Sequence, residues 1–174
     1  MRQERLLGSK DFCFDTSFIV RLFETFPRSI HTVLWDKIEA AIKGRCHIIC
    51  EVEAELKVKF EEYYEWCVEQ KIPVWEIDED CLHKAREVIK QYPTWIKPKT
   101  TDLYFADPFL IAHALQNDCM IICAEKSEDP AKHTKEPKIP DVCVFYKIDC
   151  IGQAFGEIEA APIKKFLALL KISN

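Results

Sequence analysis

The chain has 174 residues, 48% of them hydrophobic and 30% charged, with a formal net charge of −5. That composition suits a single domain over residues 1–174 with a full apolar core, and it excludes a low-complexity or repeat chain. Its apolar runs fall far short of the roughly 20 residues that cross a bilayer, so no membrane association is expected. The acidic balance weighs against binding nucleic acid through bulk charge alone.

The first eight residues carry charge with no apolar stretch behind them, which argues against a signal peptide. Nine cysteines, an odd number, argue against a complete disulfide framework. Several sit in apolar runs, as small buried side chains do in a reducing compartment, and the expected location is the cytoplasm. CxxC is absent, and Cys46/Cys50 and Cys119/Cys123 are four apart, so spacing argues against structural zinc.

In chain order, residues 11–15 form a short apolar run ending in Asp15, a buried first strand. Thr16 and Ser17 offer an N-cap, and Phe18, Leu22, Phe23 and Phe26 recur at helical spacing until Pro27. Leu34, Trp35, Ile38, Ala41 and Ile42 predict a second helix closed by Gly44. Residues 46–50 read as a second strand. Val52, Leu56, Phe60, Tyr63 and Cys67 then predict one long helix over residues 51–70. Residues 72–77 are extended around Pro73. Leu82, Ala85, Val88, Ile89 and Tyr92 mark another helix, and Pro93 and Pro98 bracket a loop. Asp107 as N-cap and Pro108 at the first position open a helix to about residue 117. Residues 119–124 are a buried strand, residues 125–141 a loop, residues 142–146 a last strand, and helical pieces follow.

This order predicts a three-layer α/β/α sandwich with a mostly parallel central sheet, its core over about residues 11–155 and a helical extension after it. Ligands of such sheets bind beyond the carboxyl ends of the strands. Asp15 ends the first strand, Glu51, Glu53 and Glu55 follow the second, Asp107 opens a helix, and Glu125 ends a later strand. Carboxylates gathered there could hold Mg²⁺ or Mn²⁺, hard cations that prefer oxygen ligands. Each acid also has an ordinary reading: Asp15 and Asp107 both suit helix caps. Glu51 and Glu55 share a helix face, with Glu53 on the other side. His47 and His113, lying in apolar stretches, read as structural. Lys84, Arg86, Lys90, Lys97 and Lys99 stand against the single acid Glu87 over residues 83–100. With Tyr92 and Trp95 among them, they suit contact with single-stranded RNA, while core packing is the alternative for the two aromatics.

Three segments resemble PIN domains. Phe14-Asp15-Thr16-Ser17-Phe18-Ile19 is similar to the family's opening, in which a strand-ending Asp precedes Thr or Ser. Val52-Glu53-Ala54-Glu55-Leu56 is similar to V-x-x-E-L, and Ala106-Asp107-Pro108-Phe109-Leu110-Ile111-Ala112-His113-Ala114 to the helix A-D-x-x-[IL]-[IV]-A-x-A. Residues 138–143 and the overall length resemble the PIN-like proteins grouped with VapC-type toxins. The resemblance implies a divalent-metal-dependent endoribonuclease, often the toxin of a toxin–antitoxin pair. Its partners would be an RNA substrate, a small antitoxin protein and a second copy in a homodimer. Asp15, Glu55 and Asp107 become the metal-binding triad, with Thr16 or Ser17 orienting Asp15 or a bound water. The sequence departs from the family where many members carry T-x-D: Cys123-Ala124-Glu125-Lys126 stands there. Glu125 is the first substitute as fourth acid, with Asp141 and Asp102 behind it, and Glu51 remains an alternative to Glu55. The alternative function is a PIN-fold module that binds RNA or protein without cutting. A haloacid-dehalogenase-type site would need an Asp where Ser17 stands.

Overall fold

The computed structural model describes residues 10–95, 106–129 and 137–172. Five strands form one sheet in the order β3-β2-β1-β4-β5, and every pairing is parallel. They are β1 (Phe12–Phe14), β2 (Cys46–Ile49), β3 (Val74–Trp75), β4 (Met120–Lys126) and β5 (Cys150–Gln153). Among the described residues, eight helices flank the sheet: α1 (Thr16–Thr25), α2 (Thr32–Ile42), α3 (Cys50–Lys59), α4 (Glu61–Glu69), α5 (Glu79–Gln91), α6 (Asp107–Asn117), α7 (Ile139–Tyr146) and α8 (Ala161–Leu169). The protein is an α/β/α sandwich, as the alternation of apolar strands and helical stripes predicts.

Side-chain alternation along β1 divides the core. Phe12 and Phe14 point to one layer, where both rings lie 5.6 Å from Phe166 of α8, itself 4.9 Å from Phe18 of α1. The last helix is therefore built into the apolar centre. Trp35 of α2 and Trp66 of α4 extend this layer by packing on Phe23. Cys13 is fully buried toward the other layer, paired in register with His47 of β2 and facing α6. There α5 packs on α6 through Cys81, Ala85 and Ala112. Helix α7 reaches the sheet across Gly152, where an added Cβ would come within 2.5 Å of the Pro140 side chain. Only glycine permits that approach.

Four expectations change. The long helix over residues 51–70 is two helices, broken at Phe60 (φ −144°, ψ 57°). The bend stacks Phe60 on Tyr63, which in turn stacks on Phe23; tertiary packing overrides a continuous apolar stripe. Residues 142–146 are helical within α7, not a strand. A short, wholly apolar run has no periodicity to decide the matter, and Pro140 near the start of α7 favours the helix. The fifth strand comes later, at Cys150–Gln153, where helical pieces were expected. At α6 the N-cap is Ala106, with Asp107 in the first turn rather than capping it.

Candidate functional site

Strand order runs outward from β1 through β2 to β3, then reverses from β4 to β5, so the switch point lies between β1 and β4. Parallel sheets open a crevice at the carboxyl edge of such a point. An open cleft of about 410 Å³ lies there, and Asp15, Thr16, Ser17, Glu55, Asp107 and Glu125 are among its lining residues. Four carboxylates singled out in the sequence thus meet although up to 110 positions separate them. Glu51 and Glu53 do not line it, and Glu53 instead pairs with Lys57 at 3.0 Å.

Each acid is held by its own element. Asp15 follows β1, donating its backbone N–H to Ile122 O at 2.9 Å. Its carboxylate caps α1, accepting from the Ser17 N–H at 3.1 Å and from the Ser17 hydroxyl. The same hydroxyl oxygen accepts from the Ala124 N–H at 3.0 Å, tying the start of α1 to the end of β4. Thr16 donates to Glu55 Oε2 at 2.7 Å, and Lys59 stands 3.1 Å from Glu55 Oε1. Of the two hydroxyls, then, Ser17 orients Asp15, while Thr16 orients Glu55. Glu125 Oε2 accepts from the Ile139 N–H at 2.9 Å, so it already serves the first turn of α7. Asp141 accepts from the backbone N–H groups of Lys138 and Glu128, away from the cleft. Asp102, Lys97 and Lys99 lie outside the described residues.

Crowded carboxylates in a buried place resist ionisation. Asp15, only 5% exposed, has its pKa pushed up to about 7, first by burial and then by the charges of Glu125 and Glu55, against the pull of the Ser17 hydrogen bonds. Asp107 is pushed up to about 8 by burial and by the charges of Glu125, Asp15 and Glu55, with Lys138 working weakly against them. Asp107 keeps part of its surface open to the cleft.

The basic, aromatic flank is only partly available. Trp95 is buried, and its indole N–H donates to Pro137 O at 2.5 Å, so it packs in the core rather than offering a stacking surface. Tyr92 leans on Trp95, Phe145 and Tyr146. A second opening of about 450 Å³ adjoins the acidic cleft through Glu125, lined by Lys126, Lys138, the half-exposed Phe155 and two further acids, Glu128 and Asp129.

A different group emerges in the core. Cys13, His47, His113 and Cys119 are all buried, and one ligand atom from each lies within 4.8 Å of the others. Among the described residues this is the one set of three or more Cys, His, Asp or Glu side chains so tightly gathered, and it could hold a metal ion. The cleft acids line one opening without closing to that range. Spacing along the chain could not reveal the quartet, because its members come from β1, β2, α6 and the turn before β4. The one available signal was a pair of histidines and a pair of cysteines, each in an apolar stretch.

Fold and cleft together define a parallel α/β/α sandwich with an acidic opening at its switch point. The chain belongs to the family described as Domain of unknown function (DUF4411), whose sequence profile matches residues 12–161. That span contains every cleft acid and the whole Cys/His quartet. No curated protein matches the chain. Among solved structures it is similar to a toxin–antitoxin complex from Klebsiella pneumoniae, at a TM-score of 0.45 and 16% identity, over 74% of this chain and 98% of that one. At that similarity the match bears on neither activity nor partner.

Proposed function

We propose that the protein is a PIN-type endoribonuclease that hydrolyses RNA phosphodiester bonds with the help of Mg²⁺ or Mn²⁺. The observation that supports this most is the meeting of Asp15, Glu55, Asp107 and Glu125 in one cleft at the carboxyl edge of the sheet. The donor set fits the cation. The ligands on offer are carboxylate oxygens, and Asp15 and Asp107 are both raised by burial and by the charges of Glu125 and Glu55, a cost that a divalent cation offsets. Asp15, Glu55 and Asp107 would hold it, with Glu125 as the fourth acid. When bound, it would supply a more acidic water and offset charge on the phosphate.

The chain's own residues do the rest. Ser17 fixes the Asp15 carboxylate, and Thr16 fixes Glu55, so both acids face the cleft in set rotamers. Lys126 and Lys138 beside Phe155 suit a backbone phosphate and a stacked base leading away from the cleft. A toxin role with a small antitoxin partner rests on the resemblance of residues 138–143 and the overall length to the PIN-like proteins grouped with VapC-type toxins.

A second reading, a PIN-fold module that binds RNA without cutting it, is favoured by one observation. Glu125 and Glu55 already have partners in Ile139 and Lys59. Cleavage of a mixed-sequence single-stranded RNA decides between them. Wild type is expected to cut with added Mn²⁺, to stop on chelation and to resume when Mn²⁺ is returned, whereas Asp107→Asn stays inactive. Binding of that RNA by folded wild type with no cleavage would favour the second reading.

A further inference from the structure

We propose that Cys13, His47, His113 and Cys119 bind one structural Zn²⁺ in the core, on the face of the sheet covered by α6. The donor set selects the metal: two thiolates and two imidazoles make a closed tetrahedral site, whereas Mg²⁺ and Mn²⁺ prefer oxygen. Tetrahedral bonds of about 2.0–2.1 Å to nitrogen and 2.3 Å to sulfur set ligand atoms roughly 3.3–3.8 Å apart. The four ligand atoms already lie within 4.8 Å of one another, and His47 Nε2 and His113 Nε2 are 2.9 Å apart. Binding therefore asks for sub-ångström widening at the histidines and a small contraction elsewhere.

Charge and burial point the same way. Without a metal, the two facing imidazole nitrogens share a single proton in a site where apolar side chains would pack at no polar cost. With it, each thiol releases its proton to solvent and each imidazole binds neutral through Nε2. The resulting centre carries no net charge, which a buried site tolerates. The surroundings are those of a ligand sphere. The Trp75 ring lies 5.1 Å from the His47 ring and 5.2 Å from that of His113, sealing one side. The Asn117 side-chain amide donates to His113 O at 3.1 Å and lies 3.2 Å from His113 Nδ1, so the imidazole is held from behind by a residue of its own helix.

The four ligands also belong to the elements that present the cleft acids. Cys13 stands two residues before Asp15 on β1, and His113 six residues after Asp107 on α6, about 9 Å along the helix. Zinc here staples α6 to β1 and β2, fixing Asp107 opposite Asp15. The site itself stands independently of any RNA cleavage.

The test measures metal in the full chain purified without chelator. About one zinc per chain is expected, and it should persist in an Asp15→Asn/Asp107→Asn variant, which leaves the quartet intact. Cys119→Ser and His47→Ala should lose it. In case those variants do not fold, wild type produced with Co²⁺ in place of zinc should show visible bands of tetrahedral cobalt and near-ultraviolet thiolate-to-cobalt charge transfer. Folded wild type without zinc and without a thiolate–cobalt band would overturn the proposal. So would full zinc occupancy in Cys119→Ser, or zinc lost only from the Asp variant.

Discussion

Burial, and then the charges of three other carboxylates, raise the pKa of Asp107, so its charge costs the folded chain stability. Asparagine keeps the shape and removes the charge. Without added divalent cation at pH 8.5, Asp107→Asn is expected to melt above wild type. A gain of about 1 kcal/mol, reduced because Asp107 is partly open to solvent, corresponds to roughly 2–4 °C for a domain of this size. Cleavage should fall by ~100-fold or more, since outer-sphere changes alone cost about 10–100-fold. Differential scanning fluorimetry and an RNA cleavage assay read the two effects, and a destabilised variant would mean that Asp107 serves packing instead. The sequence made Asp15 and Asp107 visible because strand ends and helix starts are marked locally. It could not say that Thr16 would reach across to Glu55, 39 positions on, or that Trp95 would turn inward to Pro137. Those outcomes depend on distances that only the assembled sheet defines.

Among the elements, α7 shows both the reach of pattern reading and its end. Residues 142–146 are apolar throughout, so no period distinguishes strand from helix, and the deciding contacts come from outside the segment. One of them is Glu125, whose carboxylate accepts the Ile139 N–H at the start of α7. This gives Glu125 two separable duties. Glu125→Ala removes the acceptor and is expected to cost about 1 kcal/mol, the usual loss when a helix start is left uncapped. Glu125→Gln keeps an acceptor oxygen and should cost far less. If Glu125 also holds the cation, both variants lose cleavage, but only the alanine variant loses stability, as urea titration with parallel RNA assays would reveal. Equal stability losses would remove the capping role, and full cleavage by Glu125→Gln would remove the ligand role. The helices with strong apolar stripes, α1, α2 and α5, were legible because each buries one face. The break at Phe60 was not, since it serves an aromatic stack with partners on α1 and α4.

At the scale of the whole molecule, the two clusters differ in what they ask of pH. Asp15 and Asp107 hold protons in the folded state up to about pH 7 and 8, whereas in an unfolded chain they release them near 4. Between those limits the folded state binds more protons than the unfolded one, so stability falls as pH rises. Their contribution is complete below about pH 4 and lost once pH passes about 8. The melting temperature in buffer without added divalent cation is therefore expected to decline from pH 5 to pH 8.5. Mg²⁺ or Mn²⁺ should restore it at the upper end and change little at the lower, where protons occupy the carboxylates. Omitting the cation, rather than adding a chelator, keeps any zinc in the core and isolates the acids. An Asp15→Asn/Asp107→Asn variant should flatten the pH profile and abolish the cation's effect. If wild type instead grew more stable with pH and ignored both cations, the four acids would be neighbours in space without sharing a charge, and the cleft would lose its claim to a metal.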